Sequence, residues 1–362
     1  MPTDMHNNAV QIAFVLPSFS GGGAERVMIK LANSLDRERF QPRVIVFEDS
    51  GPLHTELASD IPILTLERPR LRSALPKLRR ALKNMSPLYV VTTMGYVNLS
   101  VLLACKLGHP SIRFIVREAN EPEVTMNAIG WPRIVRAFYK YLYPRAYAVI
   151  CPSQAILEKF ANGFSIPNDR LWLMHNPIDI SHVRAMAAIS NPEFERVSYV
   201  ASGRLTEQKG FDRLLDMFSE LPEGATLRIL GDGPLLHKLK RQAVDSKLSD
   251  RVEFMGFQEN PWQFYAKANA FLLPSRWEGM PNAALEALAC GTPIISTPEA
   301  GGIGEVAALA PEGAIILAEA GEEFVASMRS ARAIAPHSLR PSLLPEEFTV
   351  PAVQKRFSQI LS

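Results

Sequence analysis

Cysteine is scarce in this 362-residue chain, and Cys105, Cys151 and Cys290 are odd in number, far apart and set among apolar neighbours. That pattern excludes a disulfide framework and a cysteine metal cluster, and it fits buried thiols in a reducing compartment. Long apolar runs are missing as well, and Met1-Pro2-Thr3-Asp4-Met5-His6 gives no cationic lead to an apolar segment. The chain therefore reads as neither exported nor integral to a membrane, and a cytoplasmic location is expected. Its seven histidines show no metal-ligand spacing, so no metal is expected; His175, beside Asn176, reads as a hinge or core residue. Excess charge is small, with a formal net charge of +2, but it is unevenly placed. Residues 1–180 hold 21 Lys+Arg against 15 Asp+Glu; subtracting from totals of 39 and 37 leaves 18 against 22 in the remainder. The basic segments lack a base-reading motif, so nucleic acid is not an expected partner.

What is present is alternation. The length suits two domains of roughly 150 to 180 residues. Apolar runs at Val10 to Leu16, Val44 to Phe47, Ile63 to Leu66, Tyr89 to Val91, Ile112 to Val116 and Ala148 to Ile150 read as buried strands, with helical periodicity between several of them. A second series begins at Val197 to Ala201 and continues through Thr226 to Leu230, Val252 to Met255, Ala270 to Leu273 and Pro293 to Ser296. Such alternation predicts an α/β protein of two Rossmann-like, doubly wound parallel sheets, with domains at 1–180 and 181–351. Two lobes of this kind would face a central cleft.

The most informative stretch is Glu278-Gly279-Met280-Pro281-Asn282-Ala283-Ala284-Leu285-Glu286, followed by Cys290-Gly291-Thr292-Pro293. A loop feeding a helix would place one carboxylate before the helix and the other in its early turns. Carboxylates so spaced suit sugar and ribose hydroxyls, and the helix N-terminus favours an anion such as a diphosphate. Together with Leu273-Pro274-Ser275, the segment resembles the Glu-x7-Glu signature of retaining glycosyltransferases of the GT-B fold, family 4. The resemblance implies a nucleotide-sugar donor with UDP favoured over GDP, no other cofactor, and a last helix at 352–362 that returns to the N-terminal lobe.

Other segments carry the same resemblance. Gly21-Gly22-Gly23-Ala24-Glu25-Arg26 follows the first strand, where glycines let backbone amides approach a phosphate or a sugar. The dinucleotide fingerprint fails, because Arg26 occupies the third glycine position. The loop is similar instead to the family's Gly-Gly-Ala-Glu-Arg turn, which faces the donor diphosphate, and a plain tight turn is the other reading. Ser202-Gly203-Arg204-Leu205-Thr206-Glu207-Gln208-Lys209-Gly210 matches the family's Gly-Arg-Leu-x-x-x-Lys-Gly pattern. Arg204 and Lys209 would neutralise the leaving diphosphate. The Asp-x-Asp expected of a metal-borne diphosphate is absent.

Gly231-Asp232-Gly233-Pro234 and Phe254-Met255-Gly256-Phe257 resemble strand ends that wrap the nucleotide base. Gly301-Gly302-Ile303-Gly304-Glu305 resembles a turn near the phosphates or a purely structural one. Where many relatives place a histidine, this chain has Arg117-Glu118-Ala119-Asn120-Glu121-Pro122. Arg117 and Glu118 are candidate catalytic residues and Asn120 a candidate for orienting the acceptor; a polar turn is the alternative.

Two basic stretches suggest docking on an anionic membrane. From Arg68 to Lys83 there are seven basic residues and no acidic one, among them Arg70, Arg72, Lys77, Arg79, Arg80 and Lys83, with Leu71, Leu75, Leu78 and Leu82 at helical spacing. The second mixes Trp131, Arg133, Arg136 and Lys140 with further aromatics. In each, the apolar residues otherwise form the core face of an ordinary helix.

The reading that follows is a retaining, metal-independent transferase. It would move a hexose or N-acetylhexosamine from a nucleotide diphosphate to a lipid-linked saccharide, peripherally, at the inner face of the cytoplasmic membrane. A nucleotide-sugar epimerase of the same fold, or a non-catalytic nucleotide-sugar or lipid-binding protein, stands beside it.

Overall fold

Segments rich in Val, Ile, Leu and Phe are too apolar to face water on either side, and parallel sheets covered by helices bury both faces of such strands. The computed structural model, which describes residues 9–20, 22–68, 70–105, 111–189, 197–331 and 339–362, contains two of these sheets. The chain divides into two compact units: unit 1 comprises Met1–Pro177 with Val350–Ser362, and unit 2 comprises Ile178–Thr349.

In unit 1 the strands are β1 (Val10–Leu16), β2 (Phe40–Val46), β3 (Ile63–Thr65), β4 (Tyr89–Thr93), β5 (Arg113–Arg117), β6 (Ala148–Cys151) and β7 (Leu171–Leu173). They lie in the order β3-β2-β1-β4-β5-β6-β7, with every pairing parallel. Alternate residues of β1 serve opposite cores. Ile12, Phe14 and Leu16 pack on one face of the sheet, and Ala13 and Val15 on the other. The last helix, Val350–Ile360, closes the first of these cores: Phe357 lies 6.3 Å from Phe14, ring to ring, and the Tyr89 hydroxyl donates to the Leu361 carbonyl at 2.9 Å.

Unit 2 repeats the plan with β8 (Ser198–Ser202), β9 (Thr226–Leu230), β10 (Val252–Gly256), β11 (Ala270–Leu273), β12 (Ile294–Ser296) and β13 (Ile315–Leu317), ordered β10-β9-β8-β11-β12-β13. Each sheet thus runs outward from its first strand in one direction and then reverses, between β1 and β4 and between β8 and β11. Loops after the two strands at such a reversal leave toward opposite faces, so the carboxyl ends there are where this fold accepts ligands.

Several elements go beyond the sequence expectation. β2 starts four residues before Val44, at Phe40, and Pro42 sits inside it. This is tolerated because pairing with β3 begins only at Val44, so Pro42 faces no ladder partner on that side. The helix Gly95–Cys105 is apolar around most of its circumference and shows no amphipathic period. β7 and β13 are three residues each, too short to give a pattern.

Candidate active site

The reversal in unit 2 brings together the residues singled out from sequence. After β8, the chain turns through Gly203 and Arg204 into a short 3-10 turn, Glu207–Lys209; after β11 it runs Pro274, Ser275, Arg276, Trp277 to Glu278. The Lys209 ammonium meets Glu278 Oε1 at 2.5 Å, and the Ser275 hydroxyl donates to the same oxygen at 2.8 Å. Gln208 Nε2 donates to the Trp277 carbonyl at 3.0 Å and reaches Glu278 Oε2 at 3.4 Å. Glu278 is only 7% exposed, so its charge depends on these partners.

The backbone is shaped to allow this convergence. At Gly203, with φ of +154°, a Cβ would fall 2.9 Å from Lys209 Cε, in the path of the lysine stem. Gly301, with φ of +63°, lies against the Glu278 carbonyl, where a Cβ would come within 2.0 Å. Gly302 N–H also donates to the Gly279 carbonyl at 3.2 Å, so the glycine turn after β12 braces the Glu278 loop. Arg276 pairs with Asp212 at 2.8 and 2.7 Å and holds its carboxyl below the usual carboxylate range. Arg213 donates to the Pro274 carbonyl at 2.8 Å and to Thr297 Oγ1 at 3.1 Å. These positioning contacts from Gln208, Ser275, Arg213 and Arg276 were missed in the sequence, though Gln208 and Ser275 both lie within the motifs singled out there.

Arg204 is exposed, and its guanidinium makes no hydrogen bond or ion pair among the described residues. The helix Asn282–Ala289 starts directly after Met280 and Pro281, and both of these are buried. Met280 packs into the apolar core, which leaves only its backbone for a ligand. Glu286 is in the second turn, nearly buried, and accepts from Trp262 Nε1 at 3.0 Å. At the next strand ends, Gly231 N–H donates to the Gly256 carbonyl at 2.7 Å, Gly233 N–H to Asp232 Oδ1 at 2.6 Å, and Phe257 projects 58% exposed.

Unit 1 treats its predicted residues differently. Gly21 lies outside the described residues. Gly22 caps the helix Gly23–Ser34, and the Glu25 carboxylate in its first turn folds back over it, so that a Cβ on Gly22 would meet Glu25 Oε2 at 2.2 Å. Arg117 and Glu118 are 1% and 0% exposed. Both side chains lie in the interior of unit 1. Arg117 donates to Thr93 Oγ1 at 3.2 Å and to Asn176 Oδ1 at 2.5 Å. Glu118 accepts from Asn98 Nδ2 at 3.1 Å and from the Tyr143 hydroxyl. Burial pushes the Glu118 carboxyl up to about 7 against those hydrogen bonds and Arg117, and burial lowers Arg117 to about 10. The turn beyond, which carries half-buried Asn120, is fixed by this interior cluster and by Lys159 pairing with Glu121 at 2.5 Å.

The two basic stretches part ways. On the helix Leu71–Met85, Leu78 and Leu82 are fully buried in the core and Leu71 and Leu75 pack against it, so no apolar face remains for a bilayer. The leucines thus form the core face of the helix, and Arg70, Arg72, Lys77, Arg79, Arg80 and Lys83 its solvated side. The helix Pro132–Leu142 buries Val135, Tyr139 and Leu142 but leaves Trp131 65% exposed, with Ile134, Phe138 and Tyr141 also outward beside Arg133, Arg136 and Lys140.

With this geometry in place, comparison with known proteins is decisive. Residues 21–182 match the family described as Glycosyltransferase Family 4, and residues 188–337 match Glycosyl transferases group 1. The chain belongs to glycosyltransferase family 4. It is a nucleotide-sugar-dependent glycosyltransferase of the GT-B fold. This family 4 transferase is 26% identical over 308 residues, 82% of it and 83% of the relative, to a Campylobacter jejuni N-acetylgalactosamine-N,N'-diacetylbacillosaminyl-diphospho-undecaprenol 4-alpha-N-acetylgalactosaminyltransferase. It is 25% identical to the amylovoran biosynthesis glycosyltransferase AmsD of Erwinia amylovora, covering 85% of this chain and 86% of that one. Its fold matches Anabaena HepE, crystallised with UDP and glucose, at a TM-score of 0.77 and 20% identity over 97% of this chain and 99% of the other. Among the described residues of the transferase, no helix is long and apolar enough to cross a membrane.

Proposed function

We propose that this family 4 transferase moves a hexose or N-acetylhexosamine from a UDP-sugar to a lipid-linked saccharide, with retention of anomeric configuration. The observation that carries the reading is the Lys209–Glu278 pair, with exposed Arg204 beside it, at the strand reversal of unit 2. Arg204 and Lys209 act as the counter-charges of the diphosphate in place of a metal ion. Glu278 receives sugar hydroxyls, Glu286 the ribose, and the turns at Gly231–Gly233 and Phe257 the base.

In the transfer step the bond between the anomeric carbon and the diphosphate oxygen breaks, and the acceptor oxygen bonds to that carbon on the same face. The acceptor proton passes to the departing phosphate. Two lines support the substrate class: the Campylobacter relative is named for transfer to a diphospho-undecaprenol-linked acceptor, and HepE was crystallised with UDP and glucose. The exposed aromatic and basic residues around Trp131 support docking at the cytoplasmic face of an anionic membrane.

A thermal-shift series without added metal, against UDP, GDP, ADP and CMP and their sugar conjugates, tests the donor assignment. UDP and its sugars are expected to raise Tm through preferential binding to the native state. A response to GDP alone would reverse the base assignment. Release of a free epimerised nucleotide sugar in the absence of acceptor would replace transfer with epimerisation.

A further inference from the structure

At the amino ends of the unit 1 strands, opposite the edge where this fold usually accepts ligands, lies an open cavity of about 390 Å³. Three arginines line it: Arg113 at the start of β5, Arg145 just before β6, and Arg170 just before β7. Their guanidiniums are held in place by uncharged groups. Arg113 lies over the Tyr147 ring at 4.8 Å and donates to the Tyr89 hydroxyl at 2.7 Å. Arg145 lies over the Tyr141 ring at 3.7 Å, and Arg170 Nη1 donates to the Pro144 and Ala146 carbonyls at 2.6 and 3.2 Å. None of the three forms an ion pair with a carboxylate among the described residues, although Asp169 also lines the cavity.

Three guanidiniums gathered around one space repel one another, and each keeps N–H donors beyond those its anchor uses. A planar fork fixed by stacking and by carbonyls is pre-organised for an oxyanion, because little side-chain entropy remains to be lost on binding. We propose that this cavity binds a phosphate-bearing anion, separately from the transfer site in unit 2. The chemistry is shared by a free phosphate or diphosphate and by a phospholipid headgroup. Trp172 lines the cavity and serves as its reporter.

The experiment is a fluorescence titration of the whole protein with pyrophosphate, carried out in an Arg204→Ala background to silence the proposed donor contact. A Trp172→Phe chain is run in parallel to isolate the Trp172 signal. A parallel arm uses phosphatidylglycerol vesicles against neutral phosphatidylcholine ones. Saturable quenching that vanishes in Trp172→Phe, and weakens at least ten-fold in Arg145→Ala and in Arg170→Gln, supports the proposal. Response to pyrophosphate identifies a soluble anion, and response to anionic vesicles alone identifies a headgroup. A chain with no Trp172-dependent response in either arm, or one whose response survives both arginine substitutions, would overturn it. Arg145 is exposed, so its variant is expected to fold, and melting curves check this. Loss of UDP stabilisation with an intact Trp172 response would count against the transferase donor site and leave this cavity standing.

Discussion

Two sheets that share a strand order over six strands, with β7 added to the first, end in opposite chemistry. At the reversal in unit 2, Lys209 and Glu278 form an ion pair on loops, with exposed Arg204 on the same turn. In unit 1, the charges at the end of β5 are turned inward, and Arg117 and Glu118 bond to Thr93, Asn176, Asn98 and Tyr143 in the interior. The fold supplies an edge; it does not decide whether that edge becomes a site or a brace. What decides is whether the charged groups retain access. A pair whose cation is partly exposed, as Lys209 is at 20%, can exchange partners with an anionic ligand, whereas the unit 1 network is enclosed on both sides and costs stability if one member is removed.

The sharpest break of this contrast lies in unit 2. Lys209→Ala and Glu278→Gln should each lower the transfer rate by about 10²–10³-fold, the range for removing one pre-organised electrostatic contact to a developing charge. Tm should fall for Lys209→Ala, which leaves the 7%-exposed Glu278 carboxylate without its cation, and much less for Glu278→Gln, which removes the buried charge and keeps an oxygen to accept from Ser275. Initial rates with saturating donor, read beside melting curves, check both halves. A large loss of stability with a proportionate loss of rate in Glu278→Gln would make the pair a brace like its unit 1 counterpart.

Unit 1 should respond in the reverse sense. Burial raises the Glu118 carboxyl to about 7, above its ordinary value of 4.5. The folded state therefore holds a proton that the unfolded state has released, and stability falls as pH rises through that window. The loss amounts to about 3 kcal/mol by pH 7. Glu118→Gln keeps an acceptor for Tyr143 and Asn98 but cannot ionise, so its Tm should stay level between pH 5 and 8 where the parent's declines. Melting curves across that range test the point, and parallel curves for the two chains would show that Glu118 does not titrate there.

Much of this contrast was legible in the sequence, for identifiable reasons. The Glu278 to Glu286 string and the Gly203 to Lys209 turn were found because their chemistry depends on local order along the chain. That Gln208 and Gly301, both within segments singled out, close on Glu278 was not legible, because they approach it from other strand ends and only sheet order brings them there. The burial of Arg117 and Glu118 escaped for a related reason. The charges sit at the carboxyl end of a strand, where exposure is the ordinary expectation, and the groups that enclose them come from residues 93, 98, 143 and 176. The helix Leu71–Met85 shows the limit of periodicity: the same leucine spacing describes a membrane face and a core face, and packing on the helix Gly95–Cys105 side of the sheet decided for the core.

The smallest expected effect separates the two basic helices. Leu71–Met85 has its apolar stripe in the core and offers a bilayer charge alone, whereas Pro132–Leu142 presents Trp131, Ile134 and Tyr141 along with its cations. A basic side chain near an anionic surface is worth about 1 kcal/mol, so Arg79→Ala and Arg133→Ala should each weaken vesicle binding about five-fold at low salt. Raising the ionic strength to 0.5 M should erase the Arg79 effect, since charges a few ångströms beyond the surface are then screened. The contribution of Trp131, measured as Trp131→Ala, should survive that salt because burial of an indole does not depend on screening. Vesicle sedimentation at two salt concentrations distinguishes the cases. Equal salt sensitivity for Arg79→Ala and Trp131→Ala would mean that the aromatic end of Pro132–Leu142 stays in water and that the membrane is held by charge alone.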